Sequence, residues 1–402
     1  MPSEPVTDAS ATCIAGTRAP QAARVKSMAP LNTPAPGSVD WLFQPMQIGR
    51  FMLKSRIVYA PLTRYRALNT VPGKEAALYY SQRTHEGALL ISEATCISNR
   101  GHGHQHSPGI YTEEQIEAWK PVTRAVHDKG GIFFLQLWHV GRASHNAFQP
   151  NSDAPLSSSD IAIQGDIMTP EGPKPHPKPR ALELAEIPGI IKQYVQAAKN
   201  ALEAGFDGVE IHGAHGYLLA QFLMSSANKR TDRYGGSIEN RARLVLEVTQ
   251  AVVDAVGSDR TGIRLSPYTE FQDMWDPKAK ELHLYLVKEL AKLKLAYIHY
   301  TEPRGYELKE VEADKHLDVF RHAQGETPFL STGSHNRETG IQAVDSGYAD
   351  LVGYGRLFLA NPDLPKRFKL NARLNPYNRK TFYIQDPVIG VGGHAAVHLA
   401  EA

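Results

Sequence analysis

The stretch EIHGAHGYLLAQFL at residues 210–223 brings together two histidines and a tyrosine, His212, His215 and Tyr217. Two neutral imidazoles can each donate an N–H to one oxygen, and a phenol beside them can deliver a proton. The set can therefore polarise a carbonyl and protonate an atom near it. A source of hydride is the missing part. A catalytic zinc would need a third protein ligand. His139 is the most obvious one, Glu93 and Glu302 are ordinary alternatives, and no helical H-E-x-x-H occurs. No metal is expected. Taken alone, the histidine pair reads as hydrogen-bonded residues closing a strand end; Tyr217 favours chemistry. A second group, His102, His104 and His106, alternates with small and polar residues, and a solvated loop is expected there.

Other segments supply partners. Thr63, Gln136 and Arg264 each fall at the end of an apolar run and offer a hydroxyl, an amide and a cation. Gly333 and the pair Gly355–Arg356 end two later runs, where backbone N–H groups and a guanidinium fork can hold a phosphate. A phosphorylated planar heterocycle such as FMN fits this set. A sugar phosphate remains open on the same grounds.

The elements that must position these residues form a regular series. Eight apolar runs read as strands at residues 56–61, 88–94, 131–139, 208–213, 261–267, 296–302, 328–333 and 351–355. Helical stretches lie between them, such as residues 113–130 and 187–205, each closed by glycine. This alternation predicts an α/β protein, a (β/α)8 TIM barrel in one domain, with chemistry at the carboxyl ends of the strands. An open doubly wound sheet would call for a dinucleotide fingerprint, and GHGHQHSPG at 101–109 lacks the third glycine. The connection from His139 to Leu182 is long and rich in Pro, Ser and Gly. It is expected to be non-helical and to cap the barrel mouth.

Composition narrows the class. Of 402 residues, 42% are hydrophobic, and 44 basic side chains face 42 acidic ones, so a barrel core is affordable and no basic field points to nucleic acid. No window is apolar enough for a membrane helix, and Cys13 and Cys96 cannot make a disulfide framework. From Ala9 to Val39 there is no acidic residue and much Ala, Ser and Pro, so residues 1–40 are expected to be a disordered or targeting tail. The barrel is expected over 41–388 and a short tail over 389–402. The location follows as intracellular: cytoplasmic, or plastid if the first tail is a transit peptide.

Longer segments resemble the old yellow enzyme family of flavin-dependent ene-reductases, in the branch that includes 12-oxophytodienoate reductases. They are LFQPMQIGRFMLKSRIVYAPLTRYRA (42–67), YYSQRTHEGALLISEAT (79–95), FFLQLWHVGRASH (133–145), residues 204–248 around EIHGAHGYLLAQFL, IRLSPY (263–268), YIHYTEPR (297–304) and GYGRLFLANPDLPKRF (353–368). The resemblance implies FMN as cofactor and NADPH or NADH as hydride donor. Pro61, Leu62, Thr63, Ala94, Gln136 and Arg264 would hold the flavin ring, and Gly333, Gly355 and Arg356 the phosphate. His212 and His215 would grip the oxygen of an α,β-unsaturated carbonyl substrate, Trp138 and Arg304 would contact it, and Tyr217 would be the proton donor. Neither nucleic acid nor membrane is expected as a partner, and the chain is expected to act as a monomer or homodimer. TFYIQDP (381–387) resembles the closing aromatic segment of the family, whereas VIGVGGHAAVHLAEA after it departs from the usual ending.

Overall fold

Eight short apolar runs, most of them buried on both faces, become eight parallel strands. In the computed structural model, which describes residues 33–303, 316–333 and 335–386, they are β1 (Ile57–Tyr59), β2 (Leu89–Ile91), β3 (Ile132–Trp138), β4 (Gly208–His212), β5 (Thr261–Leu265), β6 (Tyr297–Thr301), β7 (Phe329–Thr332) and β8 (Leu351–Tyr354). Each pairs with the next, and β8 pairs back onto β1, closing the ring. Register is parallel throughout, with Ile211 of β4 beside Leu137 of β3 and Ile263 of β5. A two-residue strand, Thr95–Cys96, bonds to the end of β3 outside the ring. The expected (β/α)8 TIM barrel is thus observed, with each strand shorter than the apolar run that announced it.

The two-residue period of a strand sends alternate side chains inward and outward. Outward residues such as Phe133, Leu135, Val209, Ile211, Ile263 and Ile298 pack with the surrounding helices. Inward residues form layers. Val58, Leu89, Phe134, Tyr297, Leu330 and Leu351 make an apolar floor with Ile48 and Leu53. Those last two come from an antiparallel hairpin of Met46–Ile48 and Phe51–Leu53, an element the alternation of runs did not announce. Its turn needs Gly49, at φ 47°, because a Cβ there would stand 2.0 Å from the carbonyl oxygen of Asp259. Above the floor the inward residues turn polar: Gln136, Glu210, Arg264, His299 and Thr332.

The helices form where expected. Glu113–His127 opens on a capping box in which Thr112 and Gln115 satisfy each other's backbone N–H groups. Ile187–Glu203 ends before Gly205, which takes φ 92°. The connection after β3 has no α-helix, as its prolines require, but it does contain an antiparallel ribbon of Asp166–Thr169 and Gly172–Pro175. Gln221 fastens this connection to the loop after β4: its Nε2 donates to Val140 O (3.0 Å) and Gly216 O (2.7 Å), and its Oε1 accepts from Arg142 N (3.1 Å).

Folded chain reaches back into the tail expected over residues 1–40, because polar groups there find partners on the barrel. Gly37 N donates to Asp345 Oδ2 (2.7 Å), and Asp40 pairs with Lys369. Residues 1–32 and the expected tail at 389–402 lie outside the described residues. Among the described residues no helix is long and apolar enough to cross a membrane.

Candidate active site

The residues with chemical potential meet at the carboxyl ends of the strands. His212 is the last residue of β4 and is buried, and its Nδ1 accepts the backbone N–H of Ala214 (3.3 Å). That bond assigns the ring proton to Nε2, which leaves an N–H to donate. The chain then turns through His215 at φ 57° and Gly216 at φ 75°, two left-handed residues in succession. Histidine tolerates that region better than most non-glycine residues. The turn is held by His215 N donating to Ser266 Oγ (2.8 Å), and His215 Nε2 lies 3.0 Å from Thr301 Oγ1. It delivers Tyr217 to the head of the short helix Leu218–Leu223.

The three side chains come together. The rings of His212 and His215 lie 5.4 Å apart at 81°, and those of His212 and Tyr217 lie 5.0 Å apart at 84°. Trp138, the last residue of β3, stands edge-on to Tyr217 at 4.9 Å. Burial, followed by the nearby Arg264 guanidinium, pushes both histidines well below their ordinary pKa. Imidazole alone could change charge near neutral pH; here both stay neutral donors.

A second group surrounds this one. Gln136 is buried inside the barrel on β3, and its Nε2 donates to Glu210 Oε1 (2.6 Å). Arg264, on β5, donates from Nη2 to Thr332 Oγ1 (3.4 Å), while its Nε is buried with no partner among the described residues. Pro61, Leu62 and Thr63 are half-buried on the loop after β1, and Ala94 is buried after β2. Gly333 follows β7 and Gly355 follows β8, the neighbouring strand. A Cβ on Gly355 would meet Leu62 Cδ2 at 2.9 Å, and one on Gly333 would meet Glu302 Cβ at 2.9 Å. Arg356 opens the next short helix, its guanidinium 5.7 Å from the Tyr377 ring. Arg304 lies outside the described residues.

Two histidines of the loop after β2, His102 and His104, correct the expectation of a solvated loop. Rings bury here because aromatic neighbours are available to cover them. His102 is buried with its Nε2 3.0 Å from Tyr111 OH, and His104 stacks on Trp138 at 6.0 Å and 14°. Burial pushes both down to about 4. Tyr65 lies against His104 (5.1 Å) and against Tyr383 (5.3 Å) from the closing segment. Arg64 and Arg66 hold that segment through the carbonyls of Phe382 and Ile384, both at 3.1 Å. Sequence reasoning also passed over Glu210, His299 and Gln221; only the pleat of β4 and β6 could have signalled the first two as inward partners.

A model of the NADH:flavin oxidoreductase / NADH oxidase family matches residues 41–375. The chain belongs to that family. It is 52% identical over 365 residues to 12-oxophytodienoate reductase 7 of Oryza sativa subsp. japonica, covering 87% of this chain and 93% of that protein. Morphinone reductase in complex with tetrahydroNAD superposes with a TM-score of 0.82 at 42% identity, covering 88% of this chain and 97% of that one. The old yellow enzyme homologue from Zymomonas mobilis superposes at 0.84 with 40% identity, covering 89% and 99%. This flavin oxidoreductase is of the old yellow enzyme type, with FMN as cofactor and a reduced nicotinamide as hydride donor. The residues present fit that cofactor: among the described residues the buried Arg264 Nε is a donor without a partner, and glycine at the ends of β7 and β8 leaves backbone where a Cβ would meet Glu302 or Leu62.

Proposed function

We propose that this flavin oxidoreductase reduces C=C bonds activated by an adjacent carbonyl or nitro group, with α,β-unsaturated carbonyl compounds such as cyclic enones of the 12-oxophytodienoate kind and maleimides, together with nitroalkenes, as the substrate class. The observation that carries the reading is the meeting of two neutral imidazoles and a phenol at the barrel mouth. FMN, held by the residues named below, would supply a two-electron hydride relay between NADPH or NADH and the substrate β-carbon, the two binding in turn.

The chain's residues supply the rest. The Nε2–H of His212 and the ring of His215 grip the substrate oxygen, where negative charge grows as hydride arrives. Preorganised donors in a partly dry site are worth about 3 to 4 kcal/mol to such an oxyanion. Because burial keeps both rings neutral, neither spends its proton, and polarisation rather than proton transfer is their contribution. Tyr217 gives the phenolic proton to the α-carbon. Trp138 walls the pocket and holds the Tyr217 ring edge-on. Thr63, Ala94, Gln136 and Arg264 hold the flavin ring in this reading, with Pro61 and Leu62 lining it and Gly333, Gly355 and Arg356 on the phosphate. Arg304 would contact the substrate.

The test is NADPH oxidation under nitrogen with and without 2-cyclohexenone. Consumption that depends on the enone and yields cyclohexanone supports the reading. A yellow holoenzyme that oxidises NADPH only with oxygen, whatever enone is added, refutes it.

A further inference from the structure

Below the site the barrel holds a carboxylate for which the reaction above has no use. Glu210 is fully buried on β4; Gln136 Nε2 donates to its Oε1 (2.6 Å), and its Oε2 lies 2.8 Å from His299 Nδ1. His299 Nε2 lies 2.9 Å from Thr332 Oγ1, the oxygen that Arg264 also reaches. Barrel interiors are ordinarily filled with Val, Ile and Leu, as the floor of this one is. A buried ion costs several kcal/mol even after the protein relaxes. Stability alone would favour an apolar residue at this position.

The polar layer has a definite charge pattern. The groups facing Glu210 are His299, Arg264 and the phenol of Tyr297. Burial pushes the Glu210 carboxyl up, but His299, Arg264 and the Gln136 hydrogen bond outweigh it and leave the group below its ordinary value. His299, held between Glu210 Oε2 at Nδ1 and Thr332 Oγ1 at Nε2, serves as a brace for the carboxylate. Glu210 and Arg264 are then the opposed charges of the layer. With its nitrogen committed to Glu210, the Gln136 amide presents its oxygen, an acceptor suited to a ring N–H.

We propose that Glu210, braced by His299, is a positioning residue for the flavin: it fixes the orientation of the Gln136 amide and offsets the charge of Arg264. It thereby sets how strongly the site favours the anionic, reduced ring. The inference rests on the reading that Gln136 and Arg264 hold the ring.

Glu210→Gln keeps the shape and can still accept from Gln136, but removes the charge. It should shift the reduction equilibrium of the holoenzyme at least tenfold toward the reduced form, about 30 mV more positive for a two-electron couple, measured by dye-coupled reduction. Glu210→Ala, which also frees the amide, should weaken FMN binding to the apoprotein at least tenfold, measured by flavin fluorescence. An unchanged or lowered potential in Glu210→Gln overturns the inference, as does wild-type FMN affinity in a folded Glu210→Ala. Should Glu210→Ala not fold, the Glu210→Gln potential decides; loss of folding in both overturns the inference, since a structural brace would then account for the burial. Arg264→Met separates the two readings. If it binds FMN with wild-type affinity and potential, the ring assignment itself fails; if only the Glu210 variants are silent, the present inference alone falls.

Discussion

Tyr217→Phe removes one oxygen and leaves the ring. The ring is held edge-on by Trp138 at 4.9 Å and by His212 at 5.0 Å, contacts that phenylalanine reproduces. Pocket shape and substrate grip should survive, because His212 and His215 remain in place as neutral donors. What is lost is the acid. General acids contribute roughly 10² to 10⁴ in rate, about 3 to 5 kcal/mol at about 1.4 per tenfold. The loss should fall on one half of the cycle only: flavin reduction by NADPH involves no phenolic proton, whereas enone reduction does. Stopped-flow absorbance of the flavin, mixed first with NADPH and then, once reduced, with 2-cyclohexenone, reads the two halves separately. We expect a reductive rate within twofold of wild type and an oxidative rate lower by 10² to 10⁴, with the enone dissociation constant little changed. Equal slowing of both halves would show that Tyr217 shapes the pocket, and an unaffected oxidative half would give the proton to another group. Either result refutes the assignment.

Replacing His212 or His215 with Ala should weaken phenol binding roughly 10- to 100-fold, since a donor to a charged oxygen is worth about 1.5 to 3 kcal/mol; titration of the holoenzyme's visible spectrum with p-chlorophenol measures it, and unchanged affinity in both variants refutes the oxygen grip. Gly355→Ala would drive a methyl to 2.9 Å from Leu62 Cδ2, so FMN affinity should fall with little change in circular dichroism, as fluorescence titration of the apoprotein would show. Acid stability should follow the buried imidazoles: burial holds His283 at about 4 in the fold against about 6.5 unfolded. A lowered histidine adds stability that is fully present above about pH 6.5 and is lost as pH falls toward 4. Urea titrations over that window should lose about 3 kcal/mol less in His283→Gln than in wild type, and parallel curves would refute the claim. Asp276→Asn breaks a buried pair with Arg241, at side-chain exposures of 1% and 5%, and should cost roughly 3 to 5 kcal/mol of stability, read from the same titrations.

The strands and the site were legible for a shared reason. A strand buried on both faces needs a continuous apolar run, and such runs survive in sequence as short blocks like IFFLQLW. Where a polar residue stands at or beside the end of a block, as His212 does, Arg264 just before Leu265 and His139 just after Trp138, it marks the barrel mouth. Features that depend on distant chain were not legible. The floor hairpin offers only three residues per strand, too few for a period to register. The burial of His102 and His104 is decided by Tyr111, Trp138 and Tyr65, none of them adjacent in sequence. Local spacing in GHGHQHSPG therefore reads as solvated although the folded loop is packed.

The pleat of β4 ties the floor of the site to its mouth. Glu210 and His212 are two residues apart, so both point inward, Glu210 one layer below and His212 at the rim, while Ile211 between them packs outward. Sliding the strand by one residue would bury Ile211 where the carboxylate belongs and turn both polar side chains against the helices. The register is pinned from both sides, by Leu137 and by Ile263, each paired with Ile211. At His212, on the rim, the strand ends. The left-handed turn through His215 and Gly216 reverses the chain, which is how Tyr217 comes to face His212 at 5.0 Å. One strand and one strained turn thus carry both the oxygen grip and the acid, and the same strand carries the charge beneath them.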